Sequence, residues 1–582
     1  MNKNSIKIIL LSVGVSLLVS SNASAQRQGD QRDRSSRDRS GSSREQSRPS
    51  QEGNLGTAVF PEEYRSIDGT GNNIEEPIWG SAQDAFLRLF DEDYADGIEA
   101  PSGGDRPSPR AISNAVVAQD GDTPNSANAT DYLWQWGQFL DHDITETPIV
   151  DPLEPLNIAV PAGDPWFDPF NTGAVEIALN RSFYVYDNDG VRQQVNQITA
   201  FIDASNVYGS DHERAEDLRA NDGSGRLRVS EGDYLPYNIN ELENAPSHDP
   251  NFYIAGDFRA NEQVGLIAMH TLFVREHNYW ADRFRSQNPD ADGDTIYEMA
   301  RAVVAAEMQV ITYREFLPIV IGRNAIPRYE GYDPSVDPGI ANAFATAAYR
   351  FGHTMLSTEL LRIDENGNTI AEGNLSLADA FFNPDEFAVA GMEPILRGLG
   401  AQVAQEIDPM LIDDVRNFLF GPPGAGGFDL ASLNVQRGRD HGLPSYNDAR
   451  EALGLGRVAD FSEVSSDPVT AANLASVYAS VDDIDLWIGG LSEDKVDGAL
   501  VGETWQAILA DQFQRLRDGD RFWYEGYLPP AWVDMVEDQT LSRIVRRNTE
   551  IGPELSDNVF VIEPERDRRD RDRNRDGRRE RR

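Results

Sequence analysis

Gln138-Phe139-Leu140-Asp141-His142-Asp143 sets an imidazole between two carboxylates, one helical turn after a carboxamide. At 3.6 residues per turn Gln138 and His142 share a helical face, so both side chains can address one buried reactant. Imidazole is the side chain that most often moves protons near neutral pH. Asp141 and Asp143 project to either side of it and can each bond a different group, such as a cofactor edge and a cation. The competing reading of these six residues is a solvated helix end with a capping aspartate.

The chain has seven histidines, so each can be weighed. His353 lies in Tyr349-Arg350-Phe351-Gly352-His353-Thr354-Met355, an apolar helical segment whose glycine lets a flat group approach the backbone. It is a candidate axial ligand, set against a satisfied core imidazole. His270 and His277 stand two turns apart on one face, too far for one metal, and core or capping roles suit them better. His441, in Arg437-Gly438-Arg439-Asp440-His441-Gly442, reads as a loop residue tied to Asp440, and His212 and His248 fall in polar loops. Thr199-Ala200-Phe201-Ile202-Asp203-Ala204-Ser205 alternates oxygen-bearing with apolar side chains and can offer hydroxyl, carbonyl and carboxylate oxygens to a hard cation such as calcium. A strand or a helix cap explains that alternation equally well. Asp290-Ala291-Asp292-Gly293-Asp294 resembles part of an EF-hand loop, but its glycine is misplaced and no glutamate follows, so it reads as a helix-connecting loop.

The elements that must position these residues are mostly helical. Apolar residues at i, i+3, i+4 spacing predict helices over Asp131–Leu140, Val264–Phe284, Thr295–Phe316, Ile340–Leu356, Pro409–Leu419 and Thr504–Gly519. Phe183–Tyr186 followed by Asp187-Asn188-Asp189-Gly190 predicts a short hairpin with a glycine turn. No solenoid-period repeat and no long Pro/Gly/Ser linker interrupts the body. The expected fold is mainly α, a single large helical domain over residues 53–562 with long loops and little β.

Residues 1–25 carry two lysines, an apolar run and Ala23-Ser24-Ala25, the pattern of a secretory signal; an uncleaved anchor is the alternative, but the run is short for a spanning helix. Residues 26–52 are rich in Arg, Ser and Asp, and residues 563–582 alternate Arg with acids, so both are expected to be disordered. These three segments together carry +7, leaving −52 on the body against −45 for the whole chain. Such a body repels nucleic acid and attracts cations. There is no cysteine, so an exported chain must hold together without disulfides, and bound iron must be ligated by His, Tyr, Met or carboxylate. Only Lys495 remains as a lysine in the body, which fits a salt-adapted surface, codon bias, or exclusion of oxidant-sensitive amines.

Taken together the segments Trp134–Pro148, Thr199–Ser210, Ala255–His277, Gln309–Pro318, Tyr349–Leu356 and Leu433–Tyr446 resemble, in order, the motifs of the animal-type haem peroxidase superfamily, the group of myeloperoxidase, lactoperoxidase and peroxidasin. The likeness spans most of residues 60–550. It implies haem b, with His142 as distal histidine, Arg259 of Gly256-Asp257-Phe258-Arg259-Ala260-Asn261-Glu262 as distal arginine, and His353 as iron ligand. Asn434 matches the residue that accepts the proximal imidazole N–H. Asp141 and Glu262 match the carboxylates ester-linked to haem, and Arg350 and Arg437 suit its propionates. Asp143, Thr199, the Phe201 carbonyl, Asp203 and Ser205 match the calcium site, and Gln138 holds water or halide over the metal.

The implied activity is reduction of hydrogen peroxide, through a ferryl and porphyrin-radical state, with oxidation of bromide, iodide, thiocyanate or organic donors. Gln263 stands where myeloperoxidase bonds haem through methionine, which puts efficient chloride oxidation in doubt. Glu146 stands where vertebrate members carry an apolar residue near the substrate channel, and a carboxylate there would repel anions if it faced the pore. A secreted monomer is expected, without a membrane or nucleic-acid partner. The rivals are a fatty-acid dioxygenase, whose radical tyrosine three residues before the proximal histidine is Arg350 here, and a haem-free calcium-binding surface or matrix protein that keeps the fold.

Overall fold

The computed structural model describes residues 60–424 and 426–562; the expected leader, the Arg/Ser/Asp-rich segment and the C-terminal tail lie outside the described residues. Helices dominate, and the named strands form three two-stranded antiparallel pairs. The elements that shape the site are α1 (Tyr132–Ile144), α2 (Ser205–Tyr208), α3 (Val264–Gln287), α4 (Gly293–Ile311), α5 (Leu430–Asp440), α6 (Glu503–Asp518) and α7 (Leu541–Asn548).

Local chemistry explains their bounds. α1 buries Leu133, Trp136, Phe139, Leu140 and Ile144, and ends where Thr145 turns extended. The Gln263 side chain accepts from Gly265 N at the start of α3, and Asp292 accepts from Thr295 N at the start of α4. Asp292 thus belongs to a helix-connecting loop, as its sequence suggests. The expected hairpin pairs Tyr184–Tyr186 with Arg192–Gln194 in antiparallel register.

Two expected helices are different. Ile340–Leu356 is divided at Ala347 (φ −130°, ψ −67°) into a short helix, Asn342–Thr346, and a 3₁₀ helix, Ala348–Met355. Gly352, a poor helix former, sits in the tighter-wound half. Of Pro409–Leu419 only Asp413–Arg416 is helical, because Leu411 N bonds Val117 O (2.9 Å) in a bridge to Ala118. Tertiary pairing overrode the local pattern there.

One apolar cluster extends from Phe60 to Phe560, with α3 packed against α4, α7 and α1. Arginine–carboxylate pairs tie distant segments together. Arg110 is fully buried between Asp164 and Asp429, each 2.8 Å away. Arg65 meets Asp520 at 2.7 Å. Just before α1, Thr130 donates through N to Phe560 O (2.9 Å) and through Oγ1 to Val559 O (2.6 Å). Among the described residues no helix is long and apolar enough to cross a membrane.

Candidate functional site

α1 and the 3₁₀ helix form opposite walls of a cleft holding about 1240 Å³ of non-atom space, part of it open to solvent. Gln138, Asp141, His142 and Glu262 line one wall; Arg350, Gly352, His353 and Arg437 line the other. A Cβ built on Gly352 meets nothing within 4 Å, so the backbone there borders open space. Leu377, Phe381, Val415, Leu419 and Leu430 add apolar lining. The sequence-derived residues Gln138, Asp141, His142, Glu262, Arg350, His353 and Arg437 therefore converge, from four separate segments, on a pocket suited to a large flat amphiphile.

On the α1 wall the charged groups hold one another. Arg259, fully buried, donates through Nε and Nη2 to Asp257 Oδ1 and Oδ2 at 2.9 and 2.8 Å, through Nη1 to Asp141 Oδ2 at 3.2 Å, and to Thr145 O at 3.1 Å. Asp257 Oδ1 also lies 3.6 Å from His142 Nδ1, which lacks a hydrogen-bond partner. Burial, reinforced by the Arg259 charge, drives the His142 pKa well below the ordinary imidazole value, so the ring is neutral. Gln138 Nε2 donates to Glu262 Oε2 at 3.1 Å, and burial pushes the Glu262 carboxyl up to about 8. Burial likewise raises Asp141 to about 6, although 29% of its side chain remains exposed. A neutral imidazole beside a fixed guanidinium can accept a proton while the cation stabilises growing negative charge.

On the opposite wall His353 Nδ1 lies 2.8 Å from Asn434 Nδ2, while Asn434 Oδ1 accepts from Arg350 Nη1 at 3.1 Å. The expected pair is present with its amide reversed. A guanidinium only donates, so Arg350 claims the amide oxygen and turns the NH₂ toward the imidazole. Burial drops the His353 pKa to about 3, keeping the ring neutral as a ligand requires. Arg437 borders the cleft while donating to Asp440 Oδ2 (2.7 Å) and Ser182 Oγ (2.9 Å).

Behind α1, Asp143, Thr199, Phe201, Asp203 and Ser205 are all buried and adjacent. Thr199 Oγ1 donates to Asp203 Oδ1 (3.2 Å), and Ser205 Oγ donates to Asp143 O (2.8 Å). Ala204 between them takes a left-handed φ of 64°, which folds the loop around Asp143. Burial and the Asp203 charge raise the Asp143 pKa well above the carboxylate range. Asp203 Oδ2 has no hydrogen-bond donor, with Arg65 Nε at 3.8 Å. Two buried carboxylates with hydroxyl and carbonyl oxygens suit a hard cation. Among the described residues there is no group of three or more His, Cys, Asp or Glu side chains able to hold a metal, so such a site leans on neutral oxygens.

One expectation fails and one condition is not met. His441 is not tied to Asp440: its Nδ1 meets Thr346 Oγ1 (2.9 Å) and Asn342 Oδ1 (3.0 Å), and its Nε2 meets Ser182 Oγ (2.7 Å). Asp440 points the other way, to Arg181, Arg437 and Ser182 N. Glu146 does not line the cleft; it is buried, and burial raises its pKa to about 8, so it carries a proton and repels no anion at neutral pH. Reading the sequence missed Asp257 and Ser182; the signal for Asp257 was its place two residues before Arg259. His277 is a satisfied core residue between Tyr208 Oη and Gly225 O, each 2.9 Å away.

The family model described as animal haem peroxidase matches residues 64–560. Peroxidasin of Drosophila melanogaster is 36% identical over 86% of this chain, which spans only 36% of that protein's length. The structure of peroxidase A from Dictyostelium discoideum superposes with a TM-score of 0.80 at 35% identity, covering 86% of this chain and all of that one. Fatty acid alpha-dioxygenase from Oryza sativa, at 21% identity and a TM-score of 0.73 over 86% of this chain and 87% of its own, shares the fold alone.

Proposed function

The chain belongs to the animal haem peroxidase family, and from that premise we propose that it is a secreted haem peroxidase that reduces hydrogen peroxide and oxidises bromide, iodide, thiocyanate or organic donors. The observation that carries the reading is the facing pair of walls, His142 on one, backed by buried Arg259 and Asp257, and His353 on the other, backed by buried Asn434, around a cleft with room for a macrocycle.

His353 would hold haem iron, with Arg350 and Arg437 at the propionates and Asp141 and Glu262 as ester-forming carboxyls. Bound haem supplies the redox-active iron at which peroxide is cleaved and donors are oxidised. Asn434 would orient the His353 ring: with its Oδ1 accepting from His353 Nδ1–H in place of Arg350, Nε2 would be the nitrogen left to hold iron. His142 takes a proton from hydrogen peroxide and returns it to the departing oxygen. Arg259, locked on Asp257, stabilises the negative charge that develops between the two oxygens. Gln138 positions water or halide. Gln263 donates to Gln135 Oε1 (2.7 Å) and offers no thioether to haem, which supports bromide, iodide or thiocyanate over chloride. Calcium on Asp143, Thr199, Phe201, Asp203 and Ser205 would fix the helix end that carries His142.

The fatty-acid dioxygenase reading is weaker because the residue three before His353 is Arg350, already engaged with Asn434. A haem-free cation-binding role leaves the cleft without a purpose. The leader, the two charged tails and the monomeric state remain part of the proposal. The test is the visible spectrum of protein produced with haem and calcium. A Soret band that bleaches with one equivalent of peroxide and recovers on adding bromide is expected; a folded, calcium-loaded protein without a Soret band refutes the reading.

A further inference from the structure

Three side-chain amides meet at the start of α3, and one backbone N–H sets the direction of them all. Gly265 N, one of the donors that a helix start leaves over, donates to Gln263 Oε1 at 2.5 Å. A backbone N–H cannot accept, so Gln263 turns its oxygen to the helix and its NH₂ away. The two hydrogens of that NH₂ go to Gln135 Oε1 at 2.7 Å and Gln138 Oε1 at 3.2 Å. Gln138, with its oxygen taken, donates through Nε2 to Glu262 Oε2 at 3.1 Å. A carboxylate, a neutral acid and an ester each keep an acceptor oxygen, so the direction does not depend on the state of Glu262. The other N–H of Gln138 is available where this half-exposed residue lines the cleft.

Two details separate this array from ordinary packing. Gln135 is fully buried and its Nε2 has no partner, a penalty that a leucine in its place would avoid. What Gln135 supplies is an acceptor for Gln263. A Cβ built on Gly265 would stand 2.2 Å from Gln135 Oε1 and 2.8 Å from Gln263 Oε1, so the missing side chain is what lets both oxygens crowd the helix start. Reversing Gln138 would also set its NH₂ against the NH₂ of Gln263, two donors with no acceptor between them. Without Gln263 either end of the Gln138 amide could meet the cleft.

We propose that Gln263 is a positioning residue that sets donor specificity: acting through Gln138, it keeps an amide N–H rather than a carbonyl oxygen toward the cleft, and that N–H favours anionic donors, halide or thiocyanate, over neutral phenols. The inference rests on the peroxidase reading above and narrows its donors. A carbonyl oxygen carries partial negative charge and repels an anion, whereas an N–H binds one. The body carries a net charge of −52, so an anion that enters the cleft does so against the overall field, and a fixed local donor offsets that repulsion.

The test uses the haem-loaded protein and measures the bromide Kd of the ferric form from the Soret shift, then kcat and KM for bromide and for guaiacol, a neutral phenol. Gln263→Leu keeps the bulk and removes both donors. Its bromide Kd is expected to rise about tenfold, and the ratio of kcat/KM for bromide to that for guaiacol to fall by about as much, through KM rather than kcat. In a Gln138→Ala background the same substitution should change the bromide Kd by less than about twofold, because nothing is left to orient. If Gln263→Leu does not load haem, Gly265→Ala takes its place, its methyl displacing both amide oxygens, with the same selective loss expected. An unchanged bromide Kd, or a loss of about tenfold that persists without Gln138, overturns the inference and leaves the peroxidase reading standing. Loss of haem from both variants makes the array structural and overturns it too. A wild type that oxidises guaiacol but neither binds nor oxidises bromide overturns the inference alone, and one that forms no Soret band overturns both.

Discussion

The two walls of the cleft are built on opposite plans. On the α1 wall Arg259 is locked on both oxygens of Asp257, so the guanidinium is fixed by the protein alone, while His142 lies 3.6 Å from the same carboxylate without a hydrogen bond to it. On the 3₁₀ wall the partner of His353 is shared with Arg350, and the amide faces the wrong way for a metal-bound imidazole. The guanidinium of the first wall is held by a dedicated carboxylate; the imidazole of the second shares its amide partner with a guanidinium. Groups that must stabilise a short-lived charge gain from being preset, whereas a binding site can spend ligand energy on rearrangement.

That contrast can be broken by mutation. Arg259→Ala should keep haem yet slow the reaction with peroxide by about 10²–10³-fold, the cost of losing one preorganised charge stabiliser, measured by stopped-flow at the Soret band. A near-normal rate would remove the preset wall from the mechanism. On the other wall Asn434→Ala should weaken haem by about 10–100-fold in titration, as loss of a ligand-orienting partner does. There, ¹⁵N shifts of His353 should report the N–H on Nε2 without haem and on Nδ1 with it; an unchanged tautomer argues against the amide reversal.

The support beneath the α1 wall gives a test of sign. Asp143 and Asp203 are buried and repel each other. Asp203→Asn should therefore lower thermal stability in calcium by about 1–2 kcal/mol but leave the protein no less stable than wild type in chelator. Destabilisation by the same amount in both conditions would dismiss the cation site. The smallest effect is expected at Glu146, whose folded pKa of about 8 exceeds its ordinary 4.5. The folded state holds that proton more tightly, so its contribution is complete below 4.5 and is lost as pH rises toward 8. Glu146→Gln should be neutral at pH 4 and stabilising by on the order of 1 kcal/mol at pH 9, read from melting curves; a pH-independent difference would show that Glu146 does not titrate in this window.

Much of this was legible in the chain where local chemistry and tertiary demand agree. The His142 helix keeps its apolar stripe because that stripe is buried, and the Asp187–Gly190 turn forces the hairpin. The oxygen-rich run from Thr199 to Ser205 closes around Asp143 because its alternating side chains are all buried together. What the chain hid was set by distant partners. Leu411 carries a helical pattern but is recruited by Val117. His441 follows Asp440 in sequence, yet the carboxylate is claimed by Arg437 one turn earlier on the same helix and by Arg181 from a distant segment. Asp257 looks like an ordinary loop acid until Arg259 folds back on it.

The bonds from Thr130 to Val559 and Phe560, and from Arg65 to Asp520, bear on how the protein can be made. The base of the His142 helix is fastened by residues more than four hundred positions later in the chain. During vectorial synthesis the cleft would stay unlatched until its last strap is released, so cofactor capture belongs to the finished polypeptide, and a nonsense mutation removing only the final thirty residues should yield protein that cannot retain haem.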